Sequence, residues 1–249
     1  MNTAITIQNL KKQFGGVEIF QNFHAKIEEG EITTVFGPNG SGKSTLLNIL
    51  SGIIPKDSGN IHIKNFDLSK FSYIFQNYRD SLLPWRTNFE NVALPLQLRG
   101  RTKDEINKEI NELQKIFRIS FGWNSYPYEL SGGQQQILAF MRALITRPEI
   151  LFIDEPFSAL DYENNLMLRN SLQKYHQKYR PTIILITHNI EEAIHLGKNI
   201  LVLSKKPTTV IKTIDNTTTY PRTADFLKMR DFHLTKEKIL SIFQKTLAI

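Results

Sequence analysis

The sequence contains no cysteine, no long apolar run and no dense block of basic residues. Without cysteine there can be no disulfide bond and no thiolate chemistry, which is compatible with a reducing compartment. Apolar runs such as Ile150 to Ile153 and Ile183 to Ile186 fall far short of the ~18 residues that a membrane-spanning helix needs. The first residues alternate like a strand and lack the apolar segment of a secretory signal. We expect a soluble or peripheral protein.

The charge balance is moderately basic, with 31 Lys and Arg against 24 Asp and Glu, a net charge of +7. Such a balance suits a protein that works near polyphosphate or an anionic membrane face. The basic pairs Lys11-Lys12 and Lys205-Lys206 are isolated, so they indicate a solvated surface rather than a nucleic-acid contact. We expect no nucleic-acid partner.

Residues 37–45 have the composition of a phosphate-binding P-loop, between a short apolar strand and a helix. Glycines let consecutive backbone N–H groups turn inward on phosphate oxygens, while Lys43 reaches the β- and γ-phosphates and the Ser44 hydroxyl can ligate magnesium. The strand and helix on either side favour this function over a plain turn. The candidate phosphate-binding residues are Gly37, Pro38, Asn39, Gly40, Ser41, Gly42, Lys43, Ser44 and Thr45.

Two adjacent carboxylates, Asp154 and Glu155, follow the apolar run from Ile150 to Ile153. This pattern predicts a buried strand that ends at a site on the carboxyl edge of a sheet. Asp154 can hold Mg²⁺ or its water, and Glu155 is then placed to take the proton of an attacking water. The alternative is a solvated pair at a strand end, which the presence of a P-loop disfavours.

A second glycine-containing loop, Ser131-Gly132-Gly133-Gln134, precedes a segment with apolar residues at helical spacing. Its backbone N–H groups are therefore expected at a helix N-terminus, where unpaired donors and the helix dipole favour an anion. The alternative is that these residues form only an N-cap and a turn.

The pattern along the chain predicts an α/β fold: a P-loop ATPase core with a mainly parallel sheet, an antiparallel β subdomain and an inserted helical subdomain. Near the N-terminus, alternating apolar and polar residues interrupted by turn residues indicate antiparallel strands. Gly59 to Ile63 and Tyr73 to Phe75 are predicted to form a similar pair. The helical subdomain covers about 88–146, and a short C-terminal extension covers about 207–249. We interpret residues 1–249 as a single nucleotide-binding domain.

Together these motifs resemble the ATP-binding subunit of an ATP-binding cassette (ABC) transporter over nearly the whole chain, since Leu-Ser-Gly-Gly-Gln at 130–134 is that family's signature. The resemblance implies that two cassettes pack head to tail, as a homodimer or a pair of different cassettes. The P-loop of one cassette and the signature loop of the other then close on one ATP at the interface. ATP and Mg²⁺ are the expected cofactors.

Four further positions match the family pattern. The resemblance implies that Gln76 touches magnesium and the lytic water, and that His188 contacts the γ-phosphate and helps organise Glu155. It also implies that Asp161, in Ser158-Ala159-Leu160-Asp161, belongs to a loop crossing between cassettes, and that Phe14 stacks on adenine. The residues alone leave other roles open, namely polar surface for Gln76, a cap for His188 or Asp161, and core packing for Phe14.

Because no apolar run can span a membrane, a transporter of this family would act through separate integral membrane permease subunits, at the cytoplasmic face of the cell membrane. Leu-Pro-Trp within residues 82–87 and the Tyr-Pro-Arg of 220–222 resemble the nitrate, sulfonate and taurine group of importers, which also use an extracytoplasmic solute-binding protein. Importers of vitamin precursors such as thiamine-like pyrimidines share much of this pattern. Trp85 is expected to pack in the helical lobe, to face the membrane subunit, or to do both, and no residue identifies the solute.

Other functional classes remain alternatives. A soluble ABC ATPase that remodels nucleic acid or ribosomes usually carries two fused cassettes or a long coiled coil, and neither is present. A regulatory module that binds ATP without turnover is disfavoured by Glu155. An exporter is disfavoured because exporter cassettes are commonly fused to their membrane helices.

Overall fold

The computed structural model describes residues 2–119, 121–157 and 160–247. Its strands are β1 (Thr3–Phe14), β2 (Val17–Glu28), β3 (Ile32–Phe36), β4 (Ser58–Ile63), β5 (Phe71–Ile74), β6 (Ile150–Asp154), β7 (Thr182–Thr187), β8 (Asn199–Leu203) and β9 (Val210–Asp215). Its α-helices are α1 (Lys43–Leu50), α2 (Asn88–Gln97), α3 (Lys103–Phe117), α4 (Gly132–Leu144), α5 (Tyr162–Tyr179), α6 (Ile190–Leu196) and α7 (Arg230–Leu247).

The central sheet has the strand order β5-β6-β7-β3-β8-β9. The first five of these strands run parallel, whereas β9 pairs antiparallel with β8. Every residue of β3, β6, β7 and β8 is buried, which explains their continuous runs of apolar and β-branched residues. Parallel pairing brings the carboxyl ends of five strands to one edge of the sheet.

A smaller antiparallel sheet has the order β2-β1-β4. Its β1–β2 hairpin confirms the antiparallel strands expected near the N-terminus, and the predicted α/β fold class is confirmed. The predicted pairing of Gly59 to Ile63 with Tyr73 to Phe75 is wrong. Strand β4 pairs with β1, and β5 joins the parallel sheet beside β6, where the Phe71 ring meets the Phe152 ring edge to face at 5.8 Å.

The stretch between β5 and β6 is mainly helical. Helices α2 and α3 each begin at a capping box. In each box a threonine hydroxyl accepts a hydrogen bond from the backbone N–H of a glutamate, and the glutamate carboxylate accepts one from the backbone N–H of the threonine. The pairs are Thr87 with Glu90 and Thr102 with Glu105. Buried apolar residues of α2, α3 and α4 join one core cluster with the central sheet. This core fixes α4, and with it the signature loop, relative to β6.

The C-terminal segment is integrated into the core. The Arg222 side chain is buried and donates hydrogen bonds to the carbonyls of Ile194, Gly197, Asn216 and Thr218. Helix α7 packs on α6 through a third core cluster, which also contains a residue of β3. No helix within the described residues is long and apolar enough to cross a membrane.

Two buried histidines predict an acid-sensitive fold. Burial lowers the pKa of both His176 and His195 to about 4, whereas an unfolded histidine titrates near ~6.5. As pH falls through this window, the unfolded chain binds protons that the folded chain does not. Stability therefore falls on acidification, by about 1.4 kcal/mol per pH unit for each histidine.

We predict that His176→Gln reduces the loss of unfolding free energy between about pH 7 and about pH 5 by roughly 2 kcal/mol. A glutamine amide can replace the contact of His176 Nε2 with the Gly30 carbonyl at 2.8 Å. Urea denaturation at both pH values measures the difference. His62→Gln, at an exposed position, is the control and should keep the wild-type pH dependence. An unchanged pH dependence in His176→Gln would contradict the prediction.

Candidate functional site

The candidate site lies at the carboxyl edge of the parallel sheet. Glu155 follows β6, His188 follows β7, the P-loop follows β3, and Gln76 lies just beyond the end of β5, after Phe75. These strands are consecutive neighbours in the order β5-β6-β7-β3. Side chains that are far apart in the chain therefore meet where open α/β sheets generally bind ligands.

Residues of the P-loop form one part of the lining of a cleft of about 360 Å³. Gly42 caps the N-terminus of α1 with φ 90°, and a Cβ at this position would lie 2.4 Å from Ile19 Cγ2. Only glycine fits, because the backbone is left-handed and crowded at the same point. The residues that line the cleft are Asn39, Gly40, Gly42, Lys43, Ser44, Thr45, Gln76, Glu155 and Lys206.

Lys43 is the buried cation of the site, with 5% of its surface exposed. Its Nζ donates to the carbonyls of Gly37 and Pro38, at 3.0 Å each, and lies 3.9 Å from Glu155 Oε1. Burial lowers the Lys43 pKa, and the nearby Glu155 and Asp154 carboxylates oppose that shift. The ammonium is thus held at the floor of the loop, where a phosphate oxygen can reach it.

Three polar side chains converge on Glu155. The imidazole Nδ1 of His188 donates to Glu155 Oε2 at 2.9 Å, the Gln76 amide lies 3.5 Å from the same oxygen, and Lys43 faces Oε1. Glu155 itself has φ 43°, a left-handed conformation that non-glycine residues seldom adopt. Its N–H still donates to the Ile186 carbonyl at 3.1 Å, so the turn away from β6 comes directly after the last ladder bond. Such strained residues cluster at functional sites.

Asp154 fits a magnesium ligand. It is 6% exposed, and burial raises its pKa, against which a hydrogen bond with Ser44 acts. Its Oδ1 atom is buried and has no hydrogen-bond partner among the described residues. Mg²⁺ takes one or two protein carboxylates and completes its shell with water and substrate phosphates. The Ser44 hydroxyl and the unsatisfied Asp154 oxygen are oxygen donors of this kind.

The signature loop lies apart from this cleft. Ser131 caps α4, with its side chain accepting from Gln134 N at 3.4 Å and its own N–H donating to Gln134 Oε1 at 3.0 Å. Ser131 is therefore the N-cap of α4, as the N-cap interpretation predicts. A Cβ on Gly133 would lie 3.5 Å from the side chain of Asn164, in the first turn of α5. Among the described residues that line the cleft beside the P-loop, none comes from the signature loop.

Asp161, Phe14 and Trp85 also lie outside the cleft lining that the structure describes. Asp161 caps α5 by accepting from Asn164 N at 2.9 Å, while Ser158 and Ala159 lie outside the described residues. Phe14 ends β1 with 49% exposure, so it is not a core residue, and Lys12 Nζ lies 4.9 Å from its ring centre. Trp85 is 72% exposed in a turn before α2, which rules out packing within the helical lobe.

Comparison with known proteins agrees with this geometry. The sequence model of the ABC transporter family matches residues 20–158. The chain belongs to the ABC transporter family. The aliphatic sulfonates import ATP-binding protein SsuB of Bacillus anthracis is 37% identical over 237 residues, covering 94% of this chain and 91% of that protein. SsuB of Bacillus subtilis (strain 168) is 35% identical and covers 92% of this chain and 88% of that protein.

A solved structure has the same cassette fold. The dimeric structure of MJ0796, a bacterial ABC transporter cassette, superposes with a TM-score of 0.74 at 30% identity, covering 86% of this chain and all of that chain. MJ0796 was also solved as a dimer in a post-hydrolysis state bound to ADP and Pi, with a TM-score of 0.74 at 29% identity. The expected family, the cassette fold and the ATPase class are confirmed.

Sequence reasoning missed a buried polar cluster in this ABC cassette. The Glu192 carboxylate, in α6, accepts from Thr187 Oγ1 at 2.6 Å and from Asn165 Nδ2 at 3.2 Å. The Asn165 amide also lies 3.4 Å from the Phe157 carbonyl, and the buried Arg169 charge is nearby. The cluster ties the end of β7, just before His188, to the start of α5. Only the apolar neighbours of Glu192 in α6 suggested that it is buried.

We predict that Glu192→Ala lowers the free energy of unfolding by about 2–4 kcal/mol, because it leaves two donors and a buried guanidinium without their carboxylate. Glu191→Ala is the matched control. Glu191 is half-buried and its carboxylate pairs with Lys236 at 2.8 Å, so its loss should cost less, about 1 kcal/mol. Urea denaturation of both variants measures the difference. Equal destabilisation would show that the Glu192 cluster contributes no special stability.

Proposed function

We propose that this chain is the ATP-hydrolysing subunit of an ABC importer, which couples ATP binding and hydrolysis in a cassette dimer to transport through separate permease subunits. The observation that carries the proposal is the convergence of Lys43, Gln76 and His188 on Glu155 beside a P-loop. A carboxylate held by these groups at a phosphate cleft is suited to activate water against a phosphoryl group.

In the proposed mechanism the P-loop holds the phosphate chain of ATP. The backbone N–H groups of residues 37–45, except Pro38, which has none, and the Lys43 ammonium contact phosphate oxygens, while Ser44, Asp154 and Gln76 would hold Mg²⁺ or its waters. Mg²⁺, when bound, supplies charge neutralisation between the phosphate oxygens. The role of Phe14 is to stack on adenine, which its half-exposed ring allows.

Glu155 acts as the general base. Its carboxylate takes a proton from water as the water oxygen bonds to the γ-phosphorus, and the bond from that phosphorus to the β-phosphate bridging oxygen breaks, leaving ADP and phosphate. His188 orients the carboxylate through its 2.9 Å hydrogen bond and contacts the γ-phosphate. Lys43 and the loop amides stabilise the charge on the transferred group.

The signature loop completes the site of a second chain. Ser131, Gly132, Gly133 and Gln134 lie at the N-terminus of α4, away from the cleft of their own chain. In the proposed dimer their N–H groups meet the γ-phosphate held by the partner's P-loop, and the Asp161 loop crosses between chains. The dimeric structure of the MJ0796 cassette supports a dimer of this chain.

The proposed setting is the cytoplasmic face of the cell membrane, where the cassettes bind permease subunits that receive solute from an extracytoplasmic binding protein. The exposed Trp85 supports a role in contacting the permease. The names of the SsuB relatives support a sulfonate-type solute within the nitrate, sulfonate and taurine group, rather than a vitamin precursor. Their importer names also favour transport over a soluble ABC ATPase that acts on nucleic acid or ribosomes.

We predict that Glu155→Gln lowers steady-state ATP hydrolysis at least about 100-fold, because the amide cannot accept the proton of water. Binding of MgATP should persist, and the variant should accumulate as an ATP-bound dimer. Phosphate release and size-exclusion chromatography measure the two effects. Glu149→Gln, which removes an exposed carboxylate paired with Lys70, is the control. Undiminished turnover in Glu155→Gln would refute the role of Glu155 as the base.

We predict that two inactive variants complement each other when mixed. Lys43→Ala disables the P-loop and Ser131→Arg disables the signature loop, so each homodimer should be inactive. A mixed dimer contains one intact pair of loops, and random pairing would restore about a quarter of wild-type hydrolysis. Phosphate release from the mixture measures the recovery. If both loops acted on one nucleotide within a single chain, mixing would restore nothing.

A further inference from the structure

The loop of residues 204–209, which joins β8 to β9, begins at the same sheet edge as the P-loop. Strand β8 is the parallel neighbour of β3, with Phe36 opposite Val202 in the ladder. Both strands therefore end side by side, and both are followed by a loop at the candidate site. The edge thus receives residues from five adjacent parallel strands rather than from the four that supply the predicted site.

Hydrogen bonds fix this loop against the P-loop. Thr208 is fully buried, its N–H donates to the Ile19 carbonyl at 2.8 Å, and its hydroxyl donates to the Ser41 carbonyl in the P-loop. Across the base of the loop, Ser204 N–H donates to the Thr209 carbonyl at 3.0 Å and Thr209 N–H donates to Ser204 Oγ at 2.9 Å. The backbone around Lys206 is therefore held in one position relative to the phosphate loop.

Lys206 lines the phosphate cleft together with Asn39, Gly40 and Glu155. The side chain is exposed, so it can turn toward a ligand without losing a buried contact. The adjacent Lys205 is also exposed, and of these two described lysines only Lys206 lines the cleft. Two neighbouring residues of identical chemistry thus differ in their position relative to the cleft.

The charges of the cleft favour a second cation. Lys43 already faces Glu155 at 3.9 Å, and Asp154 adds a further carboxylate beside it. A triphosphate brings several more negative charges into a site whose low-dielectric walls strengthen electrostatic interactions. Lys206 belongs to the loop after β8, on the opposite side of β3 from β6, the strand that carries Asp154, so it adds a positive charge to the cleft from the other side of the P-loop.

We propose that Lys206 binds the terminal phosphates of the nucleotide, as a second lysine contributed by the β8–β9 loop. This inference rests on the proposed function of the cleft as an ATP site. Its chemistry is that of an ammonium donating to phosphate oxygens, a charge-assisted contact that salt weakens.

Equilibrium binding of MgATP to full-length variants tests the proposal. All variants carry Ser131→Arg, so that binding reports the cleft of one chain and not closure of a dimer. Relative to this parent, Lys206→Gln should weaken MgATP binding about threefold to tenfold and make it less dependent on salt. Lys206→Arg, which keeps the charge, should stay within about twofold. Lys205→Gln is the matched control and should equal the parent.

These measurements distinguish whether the cleft binds MgATP from whether Lys206 contributes to that binding. If the parent protein binds no MgATP, the proposed function fails. If the parent binds MgATP but Lys206→Gln binds as tightly as Lys205→Gln, the cleft is a nucleotide site and the assignment of Lys206 is overturned. Because Lys206 is exposed, thermal unfolding should be the same for both glutamine variants. A loss of affinity without a loss of stability supports the assignment.

Discussion

Parallel pairing of β5, β6, β7, β3 and β8 is the constraint on which the rest of the structure depends. Because all five strands point the same way, whatever follows each strand emerges at one edge of the sheet. Gln76, Glu155, His188, the P-loop and Lys206 thereby become neighbours, although they lie far apart in the sequence. The four fully buried strands make this edge rigid, since their side chains are packed on both faces.

The site holds opposite charges close together in a partly buried cleft. Lys43 is surrounded by carbonyl oxygens and two carboxylates, and one Asp154 oxygen has no hydrogen-bond partner among the described residues. A buried polar atom without a partner is unfavourable, so the Asp154 oxygen favours binding of a group that can contact it. A nucleotide with its metal ion would supply anionic oxygens to the loop and a cation to Asp154.

The elements behind the site hold the segments that carry its residues. Glu192 links the end of β7, which directly precedes His188, to the start of α5. Arg222 binds the carbonyls at the end of α6, and α7 covers the same helix. His188 therefore precedes a helix that is anchored on two sides. The C-terminal segment stabilises the site without contributing a residue to the cleft lining that the structure describes.

The sequence by itself determined the P-loop, the Asp154-Glu155 pair, the signature loop and the α/β class, because each depends on a contiguous pattern: glycines for a tight loop, apolar runs for buried strands, a cap before a helix. Only the tertiary structure decided which strands pair, and it placed β5 in the parallel sheet against expectation. It also placed Lys206, but not the adjacent Lys205, in the lining of the cleft, and it left the Trp85 side chain exposed. Pairing and exposure depend on contacts between distant segments, and local composition does not encode them.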